Sequence, residues 1–128
     1  MRLLLDTHAF LWWVADDRRL PRRARAAITN PTNECLVSVA SCWEMAIKVS
    51  IGKLTLPAPV ERFVPDQLAT NGFRLLPIEL AHAARVAKLP RHHGDPFDRL
   101  LIAQSLIENL SMVSAESILG KYGVQRLW

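Results

Sequence analysis

An α/β fold built on a parallel central sheet is what this sequence predicts, and three observations predict it. Leu3-Leu4-Leu5 is an uninterrupted apolar run that ends abruptly in Asp6. A strand buried on both faces shows no alternation, so this run reads as a strand in the middle of a parallel sheet. Short apolar runs of this kind then alternate with longer helical stretches, which is the pattern of parallel β-α-β units. Finally, acids recur at the ends of these elements, and open α/β sheets place their ligands beyond the carboxyl ends of their strands. With 128 residues the chain fits one domain, residues 1–128, large enough to bury roughly two-thirds of the surface it exposes unfolded.

The elements follow in order. Residues 7–14 read as a short helix carrying Phe10, Trp12 and Trp13, stopped by Asp16 and Asp17. A second helix spans about residues 21–28, with Pro21 in its first turn, and stops before the Asn30-Pro31-Thr32-Asn33 turn. Residues 35–39 form a second apolar strand. Ser41-Cys42-Trp43-Glu44 then matches a capping box, followed by Met45, Ile47, Val49 and Ile51 before Gly52 ends the helix. Residues 56–60 hold two prolines and connect to a helix over residues 61–70. A strand at 73–76 and a helix at 79–89 follow, the latter ending at Pro90. Asp95 and Pro96 open a helix that runs to about 107, residues 111–113 are a strand, and a short helical turn leads to 124–127.

Composition narrows the function classes. No apolar run approaches the roughly 18 residues of a membrane span, and Asp6 interrupts any secretory pattern, so a cytoplasmic protein with no membrane partner is expected. Cys35 and Cys42 lack metal-ligand spacing and read as buried thiols. The net charge of +4 and a pI near 9.6 permit an anionic partner. The excess is concentrated at Arg18, Arg19, Arg22, Arg23 and Arg25, which suit either phosphate contacts or a solvated helix face.

Each acid, taken singly, has a structural explanation. Asp6 can cap the helix after it. Glu44 can complete its capping box and pair with Lys48 one turn on. Asp95 before Pro96 is a good N-cap, which puts Asp98 at N3, where a negative charge suits the helix dipole. Glu116 can simply begin the last helical turn. Together they read differently, because Asp6, Asp98 and Glu116 all lie at carboxyl ends of strands or amino ends of helices, which share one edge of a parallel sheet. Like charges about 4 Å apart repel by roughly 4 kcal/mol at an effective dielectric near 20, so such a cluster calls for a cation. Oxygen-only ligands select Mg2+ or Mn2+, with bound water available for attack on a phosphate.

The runs LLLDTHAFLWW, SVASCWEMAIKVSIGKL from Ser38, HGDPFDRLLIAQ from His93 and MVSAESILGKYGVQRLW at the end resemble the PIN-domain ribonucleases of the VapC toxin type. The likeness covers nearly the whole chain in order, and DPFDRLLIAQ is its most distinctive part. It implies a three-layer α/β/α PIN fold and a magnesium-dependent endoribonuclease that cleaves RNA. It also implies a homodimer held inactive by a cognate VapB-like antitoxin. Carried over by position, the first three acids of the family fall on Asp6, Glu44 and Asp98, with Asp6 and Asp98 as metal ligands. The fourth is Glu116, a methylene longer than the family's aspartate, preceded by Ser114, which keeps the family's hydroxyl. Thr7, Asp95 and Ser114 are expected to support the acids, Thr7 through a hydroxyl hydrogen bond to Asp6.

Two other classes compete. An aspartate after a strand also begins haloacid-dehalogenase-like phosphatases and receiver domains, but Asp6-Thr7-His8 lacks the phosphatase's second aspartate two positions on. A non-catalytic PIN-like binding module would use the same acids only as caps. Of the remaining residues, His92 and His93 read as a solvated loop, and Arg99 as a phosphate contact or a balance for the acids. Trp12, Trp13 and Trp43 read as core or partner-facing surface.

Overall fold

A computed structural model describes all 128 residues. The elements are β1 (Arg2–Leu5), α1 (Thr7–Val14), α2 (Arg22–Thr29), β2 (Glu34–Ser38), α3 (Val39–Ser50), α4 (Val60–Asn71), β3 (Arg74–Leu76), α5 (Leu80–Val86), α6 (Pro96–Glu108), β4 (Ser111–Val113), a 3₁₀ turn (Ser117–Tyr122) and β5 (Arg126–Leu127). The sheet has the order β3-β2-β1-β4-β5, and every neighbouring pair is parallel. The leucine run is therefore central, as expected, with Leu3, Leu4 and Leu5 fully buried. Each such leucine is worth about 1.5–3 kcal/mol of transfer free energy.

Alternation of side chains across the strand divides the run between two cores. Leu3 and Leu5 pack with Phe10, Ile28, Met45 and Phe63 under α1, α2 and α4. Leu4 packs with Leu101, Ile102, Met112 and Leu119 under α6 and the 3₁₀ turn. Helices on both faces of a parallel sheet make the α/β/α arrangement.

The topology positions the site. The chain builds outward from β1 through β2 to β3 and then returns to the other side of β1 for β4, so its direction reverses between β1 and β4. Ligands of open α/β sheets bind at such a switch point. In register, Leu5 lies between Val37 and Val113, which brings the residues that follow, Asp6, Ser38 and Ser114, to one edge. The Asp6 N–H donates to the Val113 carbonyl at 3.1 Å and so extends the ladder one residue past the strand.

Several boundaries differ from the sequence expectation, for identifiable reasons. Helix α3 begins at Val39 with Ser38 as its N-cap, the Ser38 hydroxyl accepting from the Ala40 N–H at 3.0 Å. Ser41-x-x-Glu44 is thus not a capping box, since Ser41 lies buried inside the helix. Pro21 is the N-cap of α2 rather than its first helical residue. Helix α5 stops at Val86 rather than 89, and the carbonyls of Val86 and Leu89 are taken up by Arg99. The start of α6 is as read: the Asp95 carboxylate accepts the Asp98 N–H at 2.9 Å, with Pro96 in the first turn. Both cysteines are free thiols, Cys35 buried and Cys42 partly so. No helix is long and apolar enough to cross a membrane.

Candidate active site

Beyond the carboxyl ends of β1 and β4 lies a cleft of about 160 Å³ lined by Asp6, Thr7, His8, Glu44, Lys48, His93, Asp95, Asp98 and Glu116, with no apolar residue. Four elements supply its acids. Asp6 follows β1, Glu44 comes from the second turn of α3, Asp95 and Asp98 from the start of α6, and Glu116 from the start of the 3₁₀ turn. Ser114 sits just behind, its hydroxyl accepting the Glu116 N–H at 3.0 Å.

The acids are held differently. Asp6 is both cap and cleft residue: its Oδ1 accepts the Ala9 N–H at 2.8 Å, while the carboxylate faces the cavity. Glu44 has both oxygens engaged, Oε1 by the Thr7 hydroxyl at 2.7 Å and Oε2 by Lys48 at 2.8 Å. The expected Lys48 pair is present. Thr7 does not steady Asp6 as expected; its hydroxyl is close to Ser41 as well and ties α1 to α3. Glu116 precedes the 3₁₀ turn without a side-chain cap bond and is exposed to the cleft. As placed, no three carboxylates or histidines stand close enough to close on one ion.

Burial sets the electrostatics. Asp98 is pushed up to about 6, chiefly by burial, with the charges of Asp95 and Asp6 adding to the effect and the His93 hydrogen bond opposing it. Asp6 is raised too, again by burial first, against hydrogen bonds from Ser114 and the Ala9 N–H. Both folded values lie above the ordinary 3.8, so the fold favours the protonated forms. The stability this gives is complete below about pH 3.8 and is lost as pH rises through about 6. Melting temperatures of the metal-free protein should therefore fall between about pH 3.8 and 6 and level off above that, and Asp98→Asn should flatten the fall; an unchanged slope would show that Asp98 does not drive it.

Two residues near the acids are placed differently from expectation. His93 is not in a free loop: its Nε2 lies 2.7 Å from Asp98 Oδ2. Arg99 faces neither phosphate nor the acids; it is buried and donates to the carbonyls of Val86, Leu89, Pro90 and His93. His8 and Lys48 also line the cleft, and the position of His8 two residues after Asp6 was the one sequence signal for it. The arginine cluster divides. Arg19 pairs with Asp17 and stacks over Trp12, and Arg25 pairs with Asp16, while Arg18, Arg22 and Arg23 are exposed.

A second, larger groove of about 670 Å³ adjoins the cleft and shares His8 and Lys48 with it; Leu11, Trp12, Val14, Leu54, Leu56 and Phe63 supply its apolar wall. Trp13 turns away from it to pack on Phe73 and bond Asn71, whereas Trp43 is 57% exposed beside Phe97.

Residues 3–124 match the PIN domain family. The chain belongs to that family. Among its PIN relatives, ribonuclease VapC22 of Mycobacterium tuberculosis is 32% identical over 115 residues, 89% of this chain and 86% of the relative. Ribonuclease VapC16 of the same organism is 40% identical over 60 residues, 47% of this chain and 43% of the relative, so that match spans less than half of VapC16. Among solved structures, a chain of DNA-bound VapBC from Salmonella typhimurium superposes with a TM-score of 0.70 at 12% identity, covering 98% of this chain and 96% of that one. A chain of a toxin–antitoxin complex from Klebsiella pneumoniae gives 0.57 at 18%, covering 90% and 87%. These likenesses show the PIN fold and fit the α/β/α sheet order described above.

Proposed function

We propose that this PIN domain is a magnesium-dependent endoribonuclease and the toxin of a toxin–antitoxin pair. The observation that carries the reading is the convergence of Asp6, Asp98 and Glu116, with Glu44 and Asp95 alongside, on a wholly polar cleft at the switch point of the sheet. The ribonuclease names of the VapC relatives support the substrate class.

The donor set suits a hard divalent cation, because it offers the carboxylate oxygens of buried Asp6 and partly buried Asp98, whose charge is unfavourable alone. Magnesium keeps several waters and uses one or two carboxylates, so Asp6 and Asp98 would suffice to hold it. When bound, such an ion supplies an activated water and neutralises phosphate charge. The chain's own groups do the rest. Lys48 presents positive charge, and His8 an imidazole, to an incoming phosphate at the mouth of the cleft. Glu44, fixed by Thr7 and Lys48, holds α3 against α1 and keeps Lys48 at that mouth. Glu116 reaches in from the 3₁₀ turn and can act through water, for which its extra methylene is no obstacle. Purified protein should cleave RNA with magnesium or manganese and lose that activity in excess chelator; undiminished cleavage under chelation would sink the metal mechanism.

The groove beside the cleft favours a peptide inhibitor. A small antitoxin could set apolar side chains against Trp12 and Leu56 and bring a basic side chain over His8 and Lys48 to Asp6 or Asp98. The fold likeness to a chain of the Klebsiella complex supports such a partner. Expressed alone the protein should arrest growth, and co-expression with the antitoxin should relieve the arrest. Harmless expression of an RNA-cleaving preparation would remove the toxin role and keep the nuclease. A homodimer has its place on α3, where Trp43, Ile47 and Ile51 recur every four residues as an exposed apolar stripe. Sedimentation at a monomer mass would exclude it.

A further inference from the structure

We infer that Arg99 and Tyr122 act together as a positioning device that holds the backbone of His93 so that its imidazole orients the Asp98 carboxylate. The inference rests on the reading of Asp98 as a cation ligand and deepens it. Arg99 follows Asp98 in α6, yet its side chain runs away from the cleft into the protein, where it is only 7% exposed. It has no carboxylate partner. A buried guanidinium is costly unless its donors are satisfied, and these are satisfied by carbonyls of one segment. Nη1 donates to Pro90 at 2.9 Å and His93 at 3.2 Å, and Nη2 to Val86 at 3.1 Å and Leu89 at 3.3 Å.

Tyr122 closes on the same segment from the other side. Its hydroxyl accepts the N–H groups of His92 at 3.0 Å and His93 at 2.8 Å and lies 3.4 Å from Arg99 Nη1. His93 is thereby held at its N–H by Tyr122 and at its carbonyl by Arg99, in a stretch between α5 and α6 that has no helix or strand to set its path. With the backbone captured on both sides, the imidazole has little left to choose, and its Nε2 rests 2.7 Å from Asp98 Oδ2. One helix therefore carries the acid and, at the next position, the clamp on the loop that orients it. Tyr122 ends the 3₁₀ turn that Glu116 begins, so the same clamp ties two acids of the cleft to one frame.

Outer partners of carboxylate ligands fix which oxygen faces the ion and typically account for roughly 10–100-fold in metal affinity. The test is manganese binding by titration calorimetry on wild type, His93→Ala, His93→Gln, Tyr122→Phe and the Tyr122→Phe/His93→Ala pair, with thermal melts alongside. His93→Ala should weaken manganese about tenfold, and His93→Gln, whose amide can still donate to Asp98, should recover most of that. Tyr122→Phe should weaken binding by a smaller factor, and adding it to His93→Ala should cost no further affinity, because Tyr122 acts through His93. A structural role alone would lower melting temperature without this non-additivity. Unchanged manganese affinity in His93→Ala or in Tyr122→Phe, or a fully additive loss in the pair, overturns the positioning role while leaving the metal reading intact. No manganese binding by the wild type overturns both.

Discussion

Asp6→Asn is expected to abolish RNA cleavage, by at least about a hundredfold, while leaving the protein folded and no less stable at neutral pH. The two outcomes come from the two uses of one side chain. As N-cap, Asp6 needs only an oxygen to accept the Ala9 N–H, and the asparagine carbonyl serves as well. As cleft residue it needs a negative charge, which asparagine removes. That charge is unfavourable in the fold, since burial raises Asp6 above its ordinary value, so neutralising it should hold or raise the melting temperature of the metal-free protein. The measurement is cleavage and thermal melting on one preparation. An active Asp6→Asn protein removes Asp6 from the chemistry, whereas an inactive and unfolded one would show that the charge is needed by the fold.

What could be read in the sequence was whatever neighbouring residues decide among themselves. Leu3-Leu4-Leu5 identified the central strand because burial on both faces forbids a polar residue, and the same rule made Asp6 conspicuous as the end of that strand. Asp95-Pro96 identified the start of α6, since an N-cap acid and a proline at N1 need nothing from elsewhere. The readings that failed depend on residues far along the chain. Ser41-x-x-Glu44 satisfies a capping pattern, but Thr7, some 34 and 37 residues away, claims both side chains, and Ser38 at the end of β2 takes the cap. His93 looked solvated because the tyrosine that captures its N–H lies 29 residues on. Arg99 read as a phosphate contact or a balance for the acids because an arginine beside an acid carries no sign of the four carbonyls that take up its donors. The resemblance to PIN domains supplied which acids to compare. It did not supply how each is held, and that difference separates Glu44, with both oxygens occupied, from Asp98.

Asp98→Asn should lose metal affinity and cleavage with little loss of melting temperature, while Asp95→Ala should lose about 1 kcal/mol of stability and keep most of the activity. The two aspartates stand three residues apart and both line the cleft, so proximity does not separate them. Capping does not separate them either, because Asp6 caps α1 and still faces the cavity. What separates them is how each is hydrogen-bonded. Asp95 Oδ1 is committed to the Asp98 N–H at 2.9 Å, so its removal leaves the first turn of α6 with an unpaired donor. Asp98 holds no backbone donor of its own helix; it is oriented by His93 and is the acid driven up to about 6 at the cost of its own ionisation. At pH 7.5 that carboxylate is ionised at a cost to the fold, and an ion bound to it offsets the cost, so magnesium should raise the melting temperature of wild type and of Asp95→Ala, and that of Asp98→Asn much less. Melts with and without magnesium on the three proteins decide the assignment: if Asp95→Ala is the variant that stops responding to magnesium, the third acid is Asp95 and the ion sits at the helix cap.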